Sequence, residues 1–188
     1  MLRLQIIIAS TRPNRGGLPV ANWFIEQAKQ HNQFELDIAD LKEINLPHLD
    51  EPEHPRLKKY QHAHTIAWGE RVNKADAFVF VTPEYNYGSP PALINGLNYL
   101  FQEWAYKPVG FVSYGGMSGG LRSVQMTKQI VTTLKMMPLP DGVVFPMYAQ
   151  SLNKETGVFS PDQKAEKAAQ AMLNELVRWT NAMKVLRT

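Results

Sequence analysis

The chain has no cysteine, which removes disulfide staples, thiolate metal sites, iron–sulfur clusters and cysteine nucleophiles together. Redox chemistry, if there is any, must come from a cofactor. No apolar run approaches the roughly 18 residues that a membrane-spanning helix requires. The first residues enter a strand pattern instead of a basic stretch followed by an apolar signal segment. A cytoplasmic protein with no membrane partner is the expectation. Low-complexity tracts are also missing. The formal charge is only +3, with lysines and arginines interspersed among acids, so no basic block invites a nucleic-acid partner. What remains is an ordinary globular composition, 44% hydrophobic and 20% charged over 188 residues, a length suited to one compact domain.

Strand and helix patterns alternate along that length. Leu2 to Ala9 is a nearly continuous apolar run rich in β-branched residues, the pattern of a strand covered on both faces. From Leu18 to Gln30, Val20, Trp23, Phe24 and Ala28 recur at helical spacing. Phe34, Leu36 and Ile38 alternate with Glu35 and Asp37, so this strand has one wet face and suits a sheet edge. After a Pro-rich loop from Asn45 to Pro55, a helix is expected from Arg56 to Lys74 with Tyr60, His64, Ala67 and Val72 inward. Ala77 to Thr82 reads as a third strand, Pro108 to Tyr114 as a fourth and Gly142 to Met147 as a fifth. Between them lie a helix capped by Ser89 with Pro90 at its first position and another from about Gly119 to Met136. Ser160-Pro161-Asp162-Gln163 has the form of a capping box opening a last helix to about Met183, with Ala168, Met172, Leu176 and Trp179 inward.

Five strands separated by helices imply a doubly wound parallel α/β sheet with helices on both faces. The order 2-1-3-4-5 places the half-polar second strand at an edge. Ligands of such sheets bind beyond the carboxyl ends of the strands at the switch point, here after strands one and three with strand four beside them. The unusual sequence lies in those places: residues 10 to 17 (Ser-Thr-Arg-Pro-Asn-Arg-Gly-Gly), 83 to 89 (Pro-Glu-Tyr-Asn-Tyr-Gly-Ser) and 113 to 120 (Ser-Tyr-Gly-Gly-Met-Ser-Gly-Gly).

The first loop offers hydroxyls, glycine amides, a helix N-terminus and arginine, the donor set of a phosphate cradle. It lacks the Gly-Lys-Ser/Thr of a P-loop and the Gly-x-Gly-x-x-Gly dinucleotide fingerprint, which disfavours a triphosphatase and a Rossmann dehydrogenase. The second loop presents aromatic and amide groups suited to a flat heterocycle. The third offers glycine amides able to approach a ring closely. Each also has a plain turn-and-packing reading.

In order and spacing, Ser-Thr-Arg-Pro-x-Arg-x-Gly at 10 to 17, Pro-Glu-Tyr-Asn at 83 to 86 and Ser-Tyr-Gly-Gly-x-Ser-Gly-Gly at 113 to 120 resemble the NADPH-dependent FMN reductase family. The resemblance covers nearly the whole chain and implies a flavodoxin-like fold, FMN as cofactor and NADPH or NADH as co-substrate. It implies that Ser10, Arg12, Arg15 and the amides near Gly17 and Leu18 hold the FMN phosphate. By the same resemblance Pro83, Glu84, Tyr85 and Asn86 flank the ring and ribityl chain, while Ser113 and Tyr114 to Gly116 face the pyrimidine end. Gly16 and Leu18-Pro19 depart from the residues more usual there. A homodimer or homotetramer is also implied, and Tyr87, Trp104 and Tyr106 are expected as exposed aromatic residues near the flavin.

The function expected is a reductase passing electrons from NAD(P)H through flavin to a small-molecule acceptor such as a flavin or quinone, with ping-pong kinetics. No catalytic side chain is expected, because the three loops contain no histidine, lysine or cysteine; the amides of Gly115 and Gly116 are expected to stabilise charge on the reduced ring. The alternative is a non-catalytic flavin-binding electron carrier or redox-responsive interaction module, but carriers of the flavodoxin type are generally strongly acidic and this chain is not. Glu84 reads as a local cap or ion-pair partner more readily than as a base. His62 and His64, two apart in the expected helix, should not share a face, so no metal site is expected.

Overall fold

A computed structural model describes residues 1–187. Five parallel strands, β1 (Leu2–Ile8), β2 (Phe34–Asp40), β3 (Ala77–Pro83), β4 (Pro108–Tyr114) and β5 (Met137–Phe145), form one sheet in the order β2-β1-β3-β4-β5. Six helices accompany it: α1 (Gly17–His31), α2 (Leu41–Ile44), α3 (Ala63–Asn73), α4 (Pro91–Asn98), α5 (Leu121–Thr133) and α6 (Gln163–Met183).

Because side chains alternate across a strand, the apolar runs of β1 and β3 supply two cores at once. Leu4, Ile6, Ile8, Val79 and Val81 join Val20 and Phe24 of α1 and Met172, Leu173 and Leu176 of α6 on one face. Ile7, Phe78 and Phe80 join Trp68, Leu93, Leu97 and Val124 from α3, α4 and α5 on the other. β2 lies at the edge, where its polar residues still reach inward: Asp37 accepts from Gln5 at 2.7 Å and pairs with Arg71 at 2.8 Å.

The structure moves several expected boundaries. β5 begins at Met137 instead of Gly142; Pro138 and Pro140 obscure it in the sequence, but on an edge strand a missing N–H leaves no ladder bond unmade. α3 begins at Ala63, not Arg56. A short turn at Pro55–Leu57 ends in Lys58 at φ 54, and Glu51 accepts from the Gln61 and His62 amides at 2.9 and 3.0 Å, so the chain stays extended up to the helix. The inward face of α3 is Thr65, Trp68, Gly69 and Val72; Ala67 is exposed.

α4 starts one residue later than expected. Pro91 takes its first position, and the Ser89 hydroxyl donates to the Ser123 carbonyl at 3.0 Å instead of capping. At α6 the cap is Asp162, which accepts from the Ala165 amide at 3.1 Å. Its buried stripe runs through Ala169, Met172, Leu173, Leu176 and Thr180, with Ala168 and Trp179 only half-buried. α5 opens at Leu121. Gly119 and Gly120 precede it at φ 60 and 87, and a Cβ at Gly119 would lie 2.6 Å from Val144 Cγ1, so both the backbone path and the packing require glycine there.

Candidate functional site

The first loop leaves β1 through Ser10, whose hydroxyl is hydrogen-bonded to the Tyr85 hydroxyl at 2.7 Å and joins the first loop to the second. Arg15 folds back: its guanidinium donates to the Ser10 carbonyl at 2.5 Å and to both Asp40 oxygens. Arg12 stays exposed, with its guanidinium 5.8 Å from the Tyr85 ring centre and no ion-pair partner among the described residues. α1 then opens at Gly16 with no side-chain cap and no acid in its first turn. Among the described residues nothing accepts from the Gly17 or Leu18 amide. The terminus keeps its partial positive charge and two free donors.

After β3, Tyr85 and Gly88 exchange backbone bonds of 3.0 and 2.9 Å around Asn86 and Tyr87, both at positive φ. The tight turn directs the Tyr85 side chain toward Ser10. Glu84 turns the other way. It accepts from the Ser118 hydroxyl at 2.7 Å, from the Arg122 amide at 3.1 Å and from the Arg122 guanidinium at 2.8 Å. Burial works to raise its pKa, but these hydrogen bonds and the Arg122 charge outweigh it and hold the carboxyl below its ordinary value. Glu84 caps α5 from a neighbouring loop.

After β4, Gly115 donates its amide to the Phe145 carbonyl at 3.2 Å and accepts from the Tyr148 amide at 3.3 Å, while Gly116 accepts from the Met147 amide at 2.9 Å. The Gly115 amide is therefore committed to the backbone and cannot serve a ligand, contrary to expectation. A Cβ at Gly116 would meet nothing within 4 Å, so that residue does face open space. Tyr114 lines the cavity from the side of α1. Its side chain is buried in the core beside α1, its hydroxyl has the Ser10 hydroxyl as its polar neighbour and no acceptor for its own proton among the described residues, and burial raises its pKa.

The three loops enclose a cavity of about 430 Å³. Ser10, Arg12 and Arg15 line it from the first loop, Pro83, Glu84 and Tyr85 from the second, and Tyr114, Gly115 and Gly116 from the third. Leu18 contributes only its place at the helix opening, its side chain being largely exposed; Asn86 sits at the exposed apex of the second turn; Ser113 is buried in β4. None of these three lines the cavity, and neither does Gly17, which lies just behind it against Tyr114.

Met147, Tyr148, Ala149 and Gln150, which follow β5, form a fourth wall that the three motifs do not announce. The strand-end rule applied to β5 as well would have found it. Trp104 and Tyr106 are corrected. Trp104 is fully buried against Phe78 and Trp68, and Tyr106 lies at the amino ends of the strands beside Lys107 and Lys135. Of the three, only Tyr87 is exposed near the site, with the Arg122 guanidinium 3.9 Å over its ring.

His62 and His64 are corrected too: their rings stack at 5.2 Å, because His62 precedes α3 in extended backbone. No histidine lines the cavity, and the described residues contain no group of three His, Asp or Glu able to hold a metal.

A doubly wound parallel sheet with a donor-rich cavity beyond the carboxyl ends of β1, β3 and β4 defines a flavodoxin-like protein. The fold is shared with FerB of Paracoccus denitrificans, a flavoenzyme NAD(P)H:(acceptor) oxidoreductase, at a TM-score of 0.75 and 18% identity over 97% of this chain and 99% of that one. It is shared with a Streptococcus flavodoxin at a TM-score of 0.58 and 10% identity over 93% and 97%.

The chain belongs to the NADPH-dependent FMN reductase family, whose model matches residues 2–150. An NAD(P)H-dependent FMN reductase of Schizosaccharomyces pombe is 39% identical over 140 residues, 73% of this chain and 70% of the relative. A quinone reductase of Escherichia coli is 40% identical over 76 residues, 38% and 40% of the two chains. The protein is thus a member of an oxidoreductase family that works between NAD(P)H and FMN.

Proposed function

We propose that this chain is an FMN-containing reductase, one domain across residues 1 to 188, that draws electrons from NADPH or NADH and delivers them to a flavin, quinone or similar small acceptor with ping-pong kinetics. The observation that carries the reading is the uncapped N-terminus of α1 opening beside the unpaired Arg12 in a cavity of about 430 Å³, a volume in the range of small-ligand sites. The residues fit FMN: free amides, a hydroxyl and a cation suit its phosphate, and the glycine-lined wall at Gly116 leaves room for a flat ring.

Ser10, Arg12 and the Gly17 and Leu18 amides hold the phosphate. Arg15 acts as a strut, since Asp40 and the Ser10 carbonyl already occupy its guanidinium. Pro83 to Tyr85 and Gly115 to Gly116 bound the ring space. FMN supplies the two-electron chemistry when bound, and this chain supplies binding, orientation and shielding from water. NADPH and acceptor use the same opening in turn, which is what makes the kinetics ping-pong.

The relatives named as FMN and quinone reductases support the choice of acceptors. A homodimer or homotetramer in the cytoplasm completes the reading; exposed Tyr87, Met117 and Leu121 supply apolar surface near the cavity. No helix of the described residues is long and apolar enough to cross a membrane. The test is reconstitution with FMN followed by initial rates over a matrix of NADPH and acceptor concentrations. Parallel double-reciprocal lines support the proposal; failure to retain FMN, or intersecting lines, would count against it. Sedimentation checks the oligomer, and a monomer at micromolar concentration would refute it.

A further inference from the structure

Two consecutive glycines at the opening of α1 each have a tyrosine hydroxyl where a side chain would begin. A Cβ built on Gly16 would lie 2.4 Å from Tyr148 Oη, and one built on Gly17 would lie 2.4 Å from Tyr114 Oη. The two rings meet edge to face with centroids 5.0 Å apart. Tyr114 arrives from β4 beneath the loop, and Tyr148 from the segment after β5 across it. The Tyr114 hydroxyl is buried in a side chain only 3% exposed, with the Ser10 hydroxyl as its polar neighbour and no acceptor for its own proton among the described residues, an arrangement that costs free energy unless something accepts from it. The Tyr148 hydroxyl also makes no hydrogen bond among the described residues.

Donors therefore gather at the opening of α1, two phenols, the Gly17 and Leu18 amides and Arg12, with no free carboxylate among them. The carboxylates near by do not serve as acceptors, because Asp40 is held by Arg15 and Glu84 by Ser118 and Arg122. An anion is the complement. Resting on the reading of the cavity as the FMN site, we propose that Tyr148 and Tyr114 are further binding residues that donate their hydroxyls to the terminal phosphate, and that the missing side chains of Gly16 and Gly17 leave room for the two phenols to reach it. Selection for a phosphorylated flavin then depends on uncharged donors as well as on Arg12.

The test uses the full chain as apoprotein, as wild type, Tyr114→Phe and Tyr148→Phe, with FMN, riboflavin and inorganic phosphate as probes. Each variant should lose about tenfold in FMN affinity while riboflavin affinity stays within about twofold, the low end of what a hydrogen bond to a charged group contributes. The stabilisation of the apoprotein by inorganic phosphate should shrink in both. Because Tyr114→Phe removes a hydroxyl with no acceptor for its proton, its apo Tm should hold or rise while its FMN-loaded Tm falls. A merely structural tyrosine would lower both. The proposal is overturned if the variants keep the wild-type ratio of FMN to riboflavin affinity, or if apo and loaded Tm fall together. If the wild type itself binds FMN and riboflavin equally, the FMN reading fails first and this inference fails with it.

Discussion

Arg15 donates to both oxygens of Asp40, one of them at 2.6 Å, and the same guanidinium reaches the Ser10 carbonyl at 2.5 Å. One arginine thereby ties the end of β1 to the end of β2 across the mouth of the first loop. Its side chain is only 8% exposed, so the pair is largely desolvated, and removing one partner strands the other's charge. Asp40→Ala should cost about 3 kcal/mol in urea unfolding, the low end for breaking a buried pair, because Asp40 retains some contact with water. An unchanged unfolding midpoint would mean that the strut holds nothing.

Arg12 should behave in the opposite way. It is exposed and lacks an ion-pair partner among the described residues, so Arg12→Ala should leave unfolding within about 0.5 kcal/mol of the parent. FMN binding should weaken by about 1.5–3 kcal/mol, the scale of a hydrogen bond to a charged group. Flavin fluorescence titration reads the second number. No loss of affinity would remove Arg12 from the phosphate site.

The two arginines also mark where sequence reasoning stopped. Both stand in the same motif, and nothing in Ser-Thr-Arg-Pro-Asn-Arg-Gly-Gly distinguishes the one that pairs internally; that is decided by Asp40, which is far along the chain and comes beside the loop only because β2 pairs with β1. The sheet order was legible because apolar β1 and β3 and half-polar β2 differ in hydrophobic pattern. Pro138 and Pro140 mimic a turn and hide the start of β5, and the helical spacing before α3 carries no record of the Glu51 cap. Trp104 looked like a loop residue, yet its indole donates to the Leu97 carbonyl at 3.2 Å within the core. Asp40, Glu51 and the Leu97 carbonyl, partners that periodicity does not show, decide the cases of Arg15, α3 and Trp104.

A methyl group at Gly17 tests the packing behind the cavity. Gly17→Ala would place Cβ 2.4 Å from Tyr114 Oη but 3.3 Å from the next ring atom, Cζ. Overpacking of this kind costs about 1–3 kcal/mol. The double variant Gly17→Ala with Tyr114→Phe should recover most of that stability in thermal unfolding, since the clashing oxygen is gone. If the double variant is as destabilised as Gly17→Ala alone, the clash is not the cause.

Acid should loosen the loop that carries Glu84. Its folded pKa lies below the ordinary 4.5, because hydrogen bonds from Ser118 and Arg122 outweigh the opposing effect of burial. The unfolded chain therefore binds the proton first as pH falls, so the contribution is fully present above about pH 4.5 and is lost as pH drops through the folded value. Glu84→Gln should lower stability at pH 7 and flatten the acid limb of a stability profile between pH 5 and 3. A limb of unchanged slope would show that Glu84 is not linked to folding.

The chemistry itself should need no protein acid or base. All five histidines lie outside the cavity lining: His62 and His64 stack on each other before and within α3, His31 sits at the end of α1, and His48 and His54 belong to the long segment after β2. Glu84, the only carboxylate lining the cavity among the described residues, is held as an anion by Ser118 and Arg122 and is poorly placed to give up or take a proton. Tyr114 is buried with its pKa raised, so its phenol stays neutral and serves as a donor. Removing a general acid or base ordinarily costs a factor of about 10²–10⁴ in rate. Changing each histidine to glutamine, one at a time, should therefore keep single-turnover NADPH oxidation by the FMN-loaded protein within about tenfold of the parent. A hundredfold loss at any one histidine, with FMN still bound, would show that the cavity draws on a proton donor beyond its visible walls.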